Sequence, residues 1–231
     1  MRLQWWRLFL CLFAGLPTVQ ADDTACLALC PMVVVEQAPA DRLSRSAICD
    51  GAAAAIRFFS DHGVATTRQI CISLRAADTV GFANHIGWYD ATTRRIELLN
   101  LAQAQRQCRF ASPFGMEMDP ELYKSFVVHE VSHAITDQHF HRGSASRLTQ
   151  EYLAYVAQLT TMAPKHRSAI MQRYPLQPFT SMNEMTLLYY ALNPNAFAVK
   201  SFLHFERQDD QSGLIRDLLS GAVRPGNGEF E

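Results

Sequence analysis

His129, Glu130 and His133 follow the pattern His-Glu-x-x-His, and that spacing defines the chemistry open to them. On a helix, residues four apart lie just over one turn apart. Both imidazoles then project from one face, one above the other. Two ring nitrogens so placed can bind a single Zn²⁺, and Glu130, beside the first histidine, can reach a metal-bound water as general base. The plainer alternative is a pair of hydrogen-bonded histidines on a buried helix.

The elements around the motif favour the metal. Asp119-Pro120-Glu121 reads as a helix start: an N-cap, a proline suited to the first helical position, and an acid that complements the dipole. Leu122, Phe126, Val127, Val128, Val131, Ala134 and Ile135 surround the motif on nearly all sides. A helix apolar all round is a buried helix. Two histidines and a glutamate inside it need partners, because unpaired buried polar groups are costly.

A catalytic zinc site takes three protein ligands and keeps one position for water. Glu151 is one candidate for the third. It lies in a second helical pattern, with Leu148, Tyr152, Tyr155, Val156 and Leu159 on a broad apolar face, after a turn at Arg142-Gly143-Ser144-Ala145. His139 is the rival, at the HExxHxxGxxH spacing. There Thr136 stands where a glycine would let the chain leave the helix, and a β-branched residue suits that left-handed turn poorly. The steric argument favours Glu151. His139 and His141 fit the helix end, where cationic side chains suit the dipole.

The run His129-Glu130-Val131-Ser132-His133-Ala134-Ile135-Thr136-Asp137 resembles the active-site helix of gluzincin-type, thermolysin-like zinc metallopeptidases. Glu151-Tyr152-Leu153-Ala154 is similar to the ExxA form of the glutamate helix in the broader group. The resemblance implies His129 and His133 as zinc ligands, Glu130 as base and a zincin-like fold. Gln150, Ala154 and Tyr155 replace the NExxSD pattern of thermolysin-like enzymes. The aspartate that usually orients a ligand histidine is therefore missing, and something else must do that work.

The N-terminus reads as a secretory signal over residues 1–21. Arg2 and Arg7 precede the apolar stretch Leu8 to Leu16, and Val19-Gln20-Ala21 forms a small-residue cleavage site. The apolar run is too short to span a bilayer comfortably, so no stable membrane anchor is expected after cleavage. A secreted or periplasmic location follows. The formal net charge of the whole chain is −1, which gives no support for nucleic-acid binding. Beyond the signal, Cys26, Cys30, Cys49, Cys71 and Cys108 suggest up to two disulfides and one leftover thiol, all in the N-terminal half.

Residues 22–231 read as one α+β domain. Over 22–118 the pattern is mainly sheet plus one helix. A β-like run spans 32–35, and an alanine-rich helix runs from Arg42 to His62, ending near Gly63. A strand covers 69–74, and a hairpin joins 86–89 to 94–99. From 119 on, helices are predicted at 120–139, 147–162, about 165–173, about 183–206 and 212–220. The expected architecture is a small mixed sheet over the HExxH helix, followed by a mostly helical half. The function this predicts is a zinc-dependent hydrolase acting on a peptide or protein substrate. A metzincin-like enzyme using His139 and a non-catalytic exported binding module with the same fold are the alternatives. Residues 182–191 could line the cleft. The resemblance also implies Tyr189, Tyr190 and His204 as candidates to stabilise an oxyanion, with core packing as the plainer reading of each.

Overall fold

Asp119 accepts a hydrogen bond from the Leu122 backbone N–H at 2.8 Å, and Pro120 takes the first helical position of α3 (Pro120–Thr136). The helix that carries the motif therefore starts where the sequence predicts. Burial opposes ionisation of Asp119. The Leu122 N–H and the His166 ring at 2.8 Å outweigh it and hold the carboxyl below its usual range. The computed structural model describes residues 27–37, 39, 41–75, 85–109, 112–140 and 146–226. The expected signal segment, Cys26, His141 and the Arg142–Ala145 turn lie outside the described residues.

The sheet has five strands in the order β1-β2-β3-β5-β4. They are β1 (Leu27–Cys30), β2 (Val33–Val35), β3 (Ile70–Arg75), β4 (Gly87–Asp90) and β5 (Arg95–Leu99). β2–β3 and β3–β5 are parallel, while β1–β2 and β4–β5 are antiparallel. The predicted hairpin is β4–β5, and Asp90 closes its turn by accepting from the Thr92 N–H at 2.8 Å. β1 was not predicted, because its residues Leu-Ala-Leu-Cys carry no alternating polar pattern. Val33, Val35, Ile70, Ile72, Ile96 and Leu98 point to the helical layer and are buried. Ion pairs linking Glu36, Arg75, Arg95 and Glu97 cross the opposite face.

α1 (Arg42–Asp61) connects the parallel strands β2 and β3 and buries Ala47, Ile48, Ala52, Ala55, Phe58 and Phe59. It ends at His62 and Gly63, the latter at φ +81°, a conformation glycine adopts without strain. A disulfide between Cys30 and Cys49 ties α1 to β1. Cys108 is a free, buried thiol. A second helix, α2 (Leu101–Gln107), corrects the expectation of one helix before residue 119. Asn100 and Gln103 form a capping box at its start.

α3 packs against α1, beneath the sheet, and against α4 (Arg147–Thr161). Ser125 and His129 both meet Gln158, whereas Glu151 meets His129 from the other end of α4, so the two helices run antiparallel. The Tyr123 hydroxyl donates to the Leu99 carbonyl at 2.6 Å and anchors α3 to β5. α5 (Pro164–Arg173), α6 (Leu187–Leu192), α7 (Pro194–Glu206) and α8 (Gln211–Ser220) complete a mostly helical second half. The single helix expected over 183–206 is divided at Asn193–Pro194. Proline has no N–H to continue a helix, and Asn193 caps the next one by accepting from the Ala196 N–H at 3.0 Å. No helix among the described residues is long and apolar enough to cross a membrane.

Gly51 sits where α1 crosses α3. A Cβ there would stand 2.8 Å from both the Lys124 carbonyl oxygen and Val127 Cβ. Helix propensity alone would favour alanine by about 1 kcal/mol. Overpacking against a backbone atom should outweigh that, costing ~1–3 kcal/mol. Gly51→Ala is therefore expected to lower the urea midpoint without changing the slope. A midpoint equal to or above that of the unsubstituted protein would refute the close approach.

Candidate metal centre

The floor of the site is one face of α3. His129 and His133 stand one turn apart there, their rings edge to face with centroids 4.8 Å apart. Their Nε2 atoms lie 3.2 Å from each other. Glu151, from the second turn of α4, places Oε2 3.5 Å from His129 Nε2. The three ligand atoms all fall within 4.8 Å of one another. Two donors bound ~2.0–2.1 Å from one tetrahedral ion stand about 3.3 Å apart. The spacings of 3.2 and 3.5 Å match that edge.

The hydrogen bonding points the same way. Glu151 Oε2 is buried, and no donor reaches it. Two Nε2 atoms facing each other cannot both be satisfied without a proton or a cation between them. A cation on the Nε2 side would satisfy this carboxylate oxygen and both rings. It would leave His133 Nδ1 as it is, buried and without a partner.

Gln158 orients the first ring. His129 Nδ1 lies 3.2 Å from Gln158 Oε1, which can only accept, so Nδ1 carries the proton and Nε2 presents its lone pair to the cluster. The amide nitrogen of Gln158 donates to Ser125 Oγ at 3.2 Å, and Ser125 donates to the Leu122 carbonyl at 2.7 Å. This chain of bonds fixes the orientation of the His129 ring from α4 and the α3 backbone. Tyr155 packs edge-on against His129 at 4.5 Å between centroids.

Burial shifts each titrating group. It pushes His133 down to about 4, helped by the neighbouring His129. On His129 burial is outweighed by the pairing with Glu151 and by Glu130, which together raise it. On Glu151 burial is outweighed in the other direction, by His129 and His133, and the carboxyl falls to about 2. Glu130 is pushed up to about 7, chiefly by burial. The charge of His129 and the Tyr89 backbone N–H pull against that rise, and Glu151 adds to it.

Glu130 reaches the cleft under β4. A Cβ on Gly87 would stand 3.2 Å from Glu130 Cγ and 2.9 Å from the Glu97 carbonyl, so glycine alone lets the carboxylate lie against this strand. Beyond the motif, Asp137 accepts from the Tyr89 hydroxyl at 2.9 Å and pairs with Arg68 at 3.5 Å, pinning β4 to the end of α3. The cleft holds about 1010 Å³ and is lined by β4 and by residues of α2, α3, α4 and α6. Trp88 and Tyr89, whose types suggest sheet packing, also line it.

Among the described residues the structure brings together His129, Glu130, His133 and Glu151. It does not bring His139 to them: that ring lies past the helix end and bonds the Ala65 carbonyl at 2.6 Å. His204 pairs with the Tyr152 hydroxyl at 2.9 Å, away from the cluster. Tyr189 packs on Phe179, whereas Tyr190 lines the cleft and faces Glu151. Arg147, Tyr155 and Gln158 are site residues that the sequence reading missed. Their signal was spacing: 147, 151, 155 and 158 recur on one face of α4.

An α+β chain with a buried His-His-Glu centre beside an edge strand is thus the class that fold and site define. The chain matches, over residues 33–227, a family of unknown function (DUF6639), and it belongs to that family. No curated protein matches it, and no solved structure does.

Removing the Gln158 acceptor leaves His129 Nδ1–H unsatisfied, at a cost of about 1–3 kcal/mol. In ¹⁵N NMR spectra of the metal-free protein, recorded where the ring is neutral, His129 should show the Nδ1–H tautomer. Gln158→Leu should lose that signature and Gln158→Glu should keep it. An unchanged His129 spectrum in Gln158→Leu would remove the orienting role.

Proposed function

We propose that the protein is an exported, zinc-dependent peptidase with a zincin-like fold and a gluzincin-type site, in which His129, His133 and Glu151 hold the metal and Glu130 is the general base. The observation that carries this reading is the convergence of the three candidate ligand atoms within 4.8 Å, with His129 Nε2 at 3.2 Å from His133 Nε2 and 3.5 Å from a buried Glu151 oxygen that no hydrogen bond satisfies. A hard carboxylate with two imidazoles suits Zn²⁺. When bound, zinc supplies Lewis-acid polarisation of a carbonyl and a water of lowered pKa.

The chain's own groups do the rest. Glu130 is buried beside the ligands, with a proton affinity near neutrality. A neighbouring dication would favour its ionised form, the form a base needs. It can take a proton from water and return it to the leaving amine. β4, the last strand of the sheet, runs along the cleft, where an extended peptide can align by main-chain hydrogen bonds. Helix α3 beneath the sheet and the antiparallel glutamate helix α4 support the zincin-like architecture. The Cys30–Cys49 disulfide supports an oxidising compartment outside the cytoplasm.

Paired zinc titrations test the ligand set. Glu151→Ala should lose stoichiometric zinc, because it removes the only carboxylate ligand. His139→Ala should keep it, because that ring is engaged with Ala65. The reverse pattern would overturn the gluzincin-type site and favour the metzincin-like one.

Glu130→Gln tests the chemistry. The amide keeps the shape but accepts no proton, so turnover on a broad peptide library should fall by roughly 10²–10⁴. Zinc content should stay at the level of the unsubstituted protein. Equal cleavage by the two proteins would end the general-base assignment, and absence of cleavage by the unsubstituted protein would end the peptidase reading.

A further inference from the structure

The cleft carries two guanidinium groups that the metal centre does not use. Arg106 comes from the last turn of α2 and Arg147 from the first turn of α4. Among the described residues the only carboxylates lining the cleft are Glu130 and Glu151. Among the described residues neither arginine pairs with an acid, whereas Arg68, Arg75 and Arg95 all do. Arg147 is four residues before Glu151, on the same helical face, yet it does not pair with it. Its guanidinium instead lies over the Tyr190 ring, 5.4 Å from the centroid.

Arg106, in the last turn of α2, complements that helix's dipole, whereas Arg147 opposes its own. Arg147 is the first residue of α4, at the positive end of the helix dipole, and no acidic residue shares that turn. A divalent ion with the two lining carboxylates would be neutral overall and so would not offset the two arginines that line the cleft. The whole chain has a net charge of −1, and this local excess is not a general basic character.

We propose that Arg106 and Arg147 select a substrate bearing a carboxylate near the scissile bond. The inference rests on the peptidase reading above and names its substrate class. Arginine is suited to the role because its planar fork meets a carboxylate with two parallel hydrogen bonds. The carboxylate can be an acidic side chain or the C-terminus of the peptide.

The test uses randomised hexapeptides made as free acids and as amides, with Glu or Gln fixed at one internal position. Cleavage by the zinc-loaded protein is read by mass spectrometry, and binding is read on zinc-loaded Glu130→Gln protein. Carboxylate-bearing peptides should bind about tenfold to a hundredfold more tightly than their neutral counterparts, the range of a charge-assisted pair. Arg106→Gln and Arg147→Gln should each bring that ratio toward one. A preference for free acids identifies C-terminal recognition, and a preference for Glu identifies an acidic subsite. Equal affinity across all versions, or a ratio unchanged in both variants, overturns the inference and leaves the peptidase standing. Neither cleavage nor binding of any version removes both.

Discussion

Burying α3 on every side is the constraint on which the rest of the structure depends. Thirteen of its 17 residues are buried, including every residue from Val127 to Thr136. Any polar group there must find its partner inside the protein. Ser125, Ser132 and Thr136 solve this locally, each donating to a carbonyl of the preceding turn. His129, Glu130 and His133 are too long for that solution. For His129 and Glu130 the partners come from other elements: α4 offers Glu151 and Gln158 to His129, and β4 offers the Tyr89 N–H to Glu130, whereas His133 meets the His129 ring. Gly87 permits the first approach, and Tyr89 with Asp137 fixes the strand in place.

The charges in this pocket do not balance comfortably with protons alone. Two carboxylates and two imidazoles share a buried volume, and their proton affinities spread from about 2 for Glu151 to about 7 for Glu130. Burial dominates at His133 and Glu130, and the neighbouring charges decide His129 and Glu151. A divalent cation would balance both carboxylates with both rings neutral. Leaving any one of the four groups uncompensated would carry the large penalty of an unpaired buried charge.

Much of this was legible in the sequence because it is local. The Asp119-Pro120 start of α3 and the His-Glu-x-x-His face need only helical geometry. The β4–β5 hairpin needs alternation and a turn. The rejection of His139 rested on one residue, Thr136. The helix, expected to run to 139, ends at Thr136 without a left-handed turn, since Asp137 stays right-handed. Other features were hidden by competing patterns. Tyr155 lies next to the apolar positions of α4 and reads as core, although its ring packs on His129. Asn193–Pro194 divides what hydrophobic periodicity alone joins into one helix. α2 is only seven residues long, too short for periodicity, and its capping box was the signal to use.

The choice of a glutamine to orient His129 follows from the same charge count. An anionic partner would fix the tautomer as well as Gln158 Oε1 does, and would make the ring a stronger donor. In this pocket it would also be a third carboxylate beside Glu130 and Glu151, and like charges in a low dielectric repel strongly. The amide supplies the acceptor without the charge. It then donates its own N–H to Ser125, whose hydroxyl passes the bond to the α3 backbone. A carboxylate has no such donor and would break that chain. With a neutral orienting group, two carboxylates and a bound dication would sum to zero.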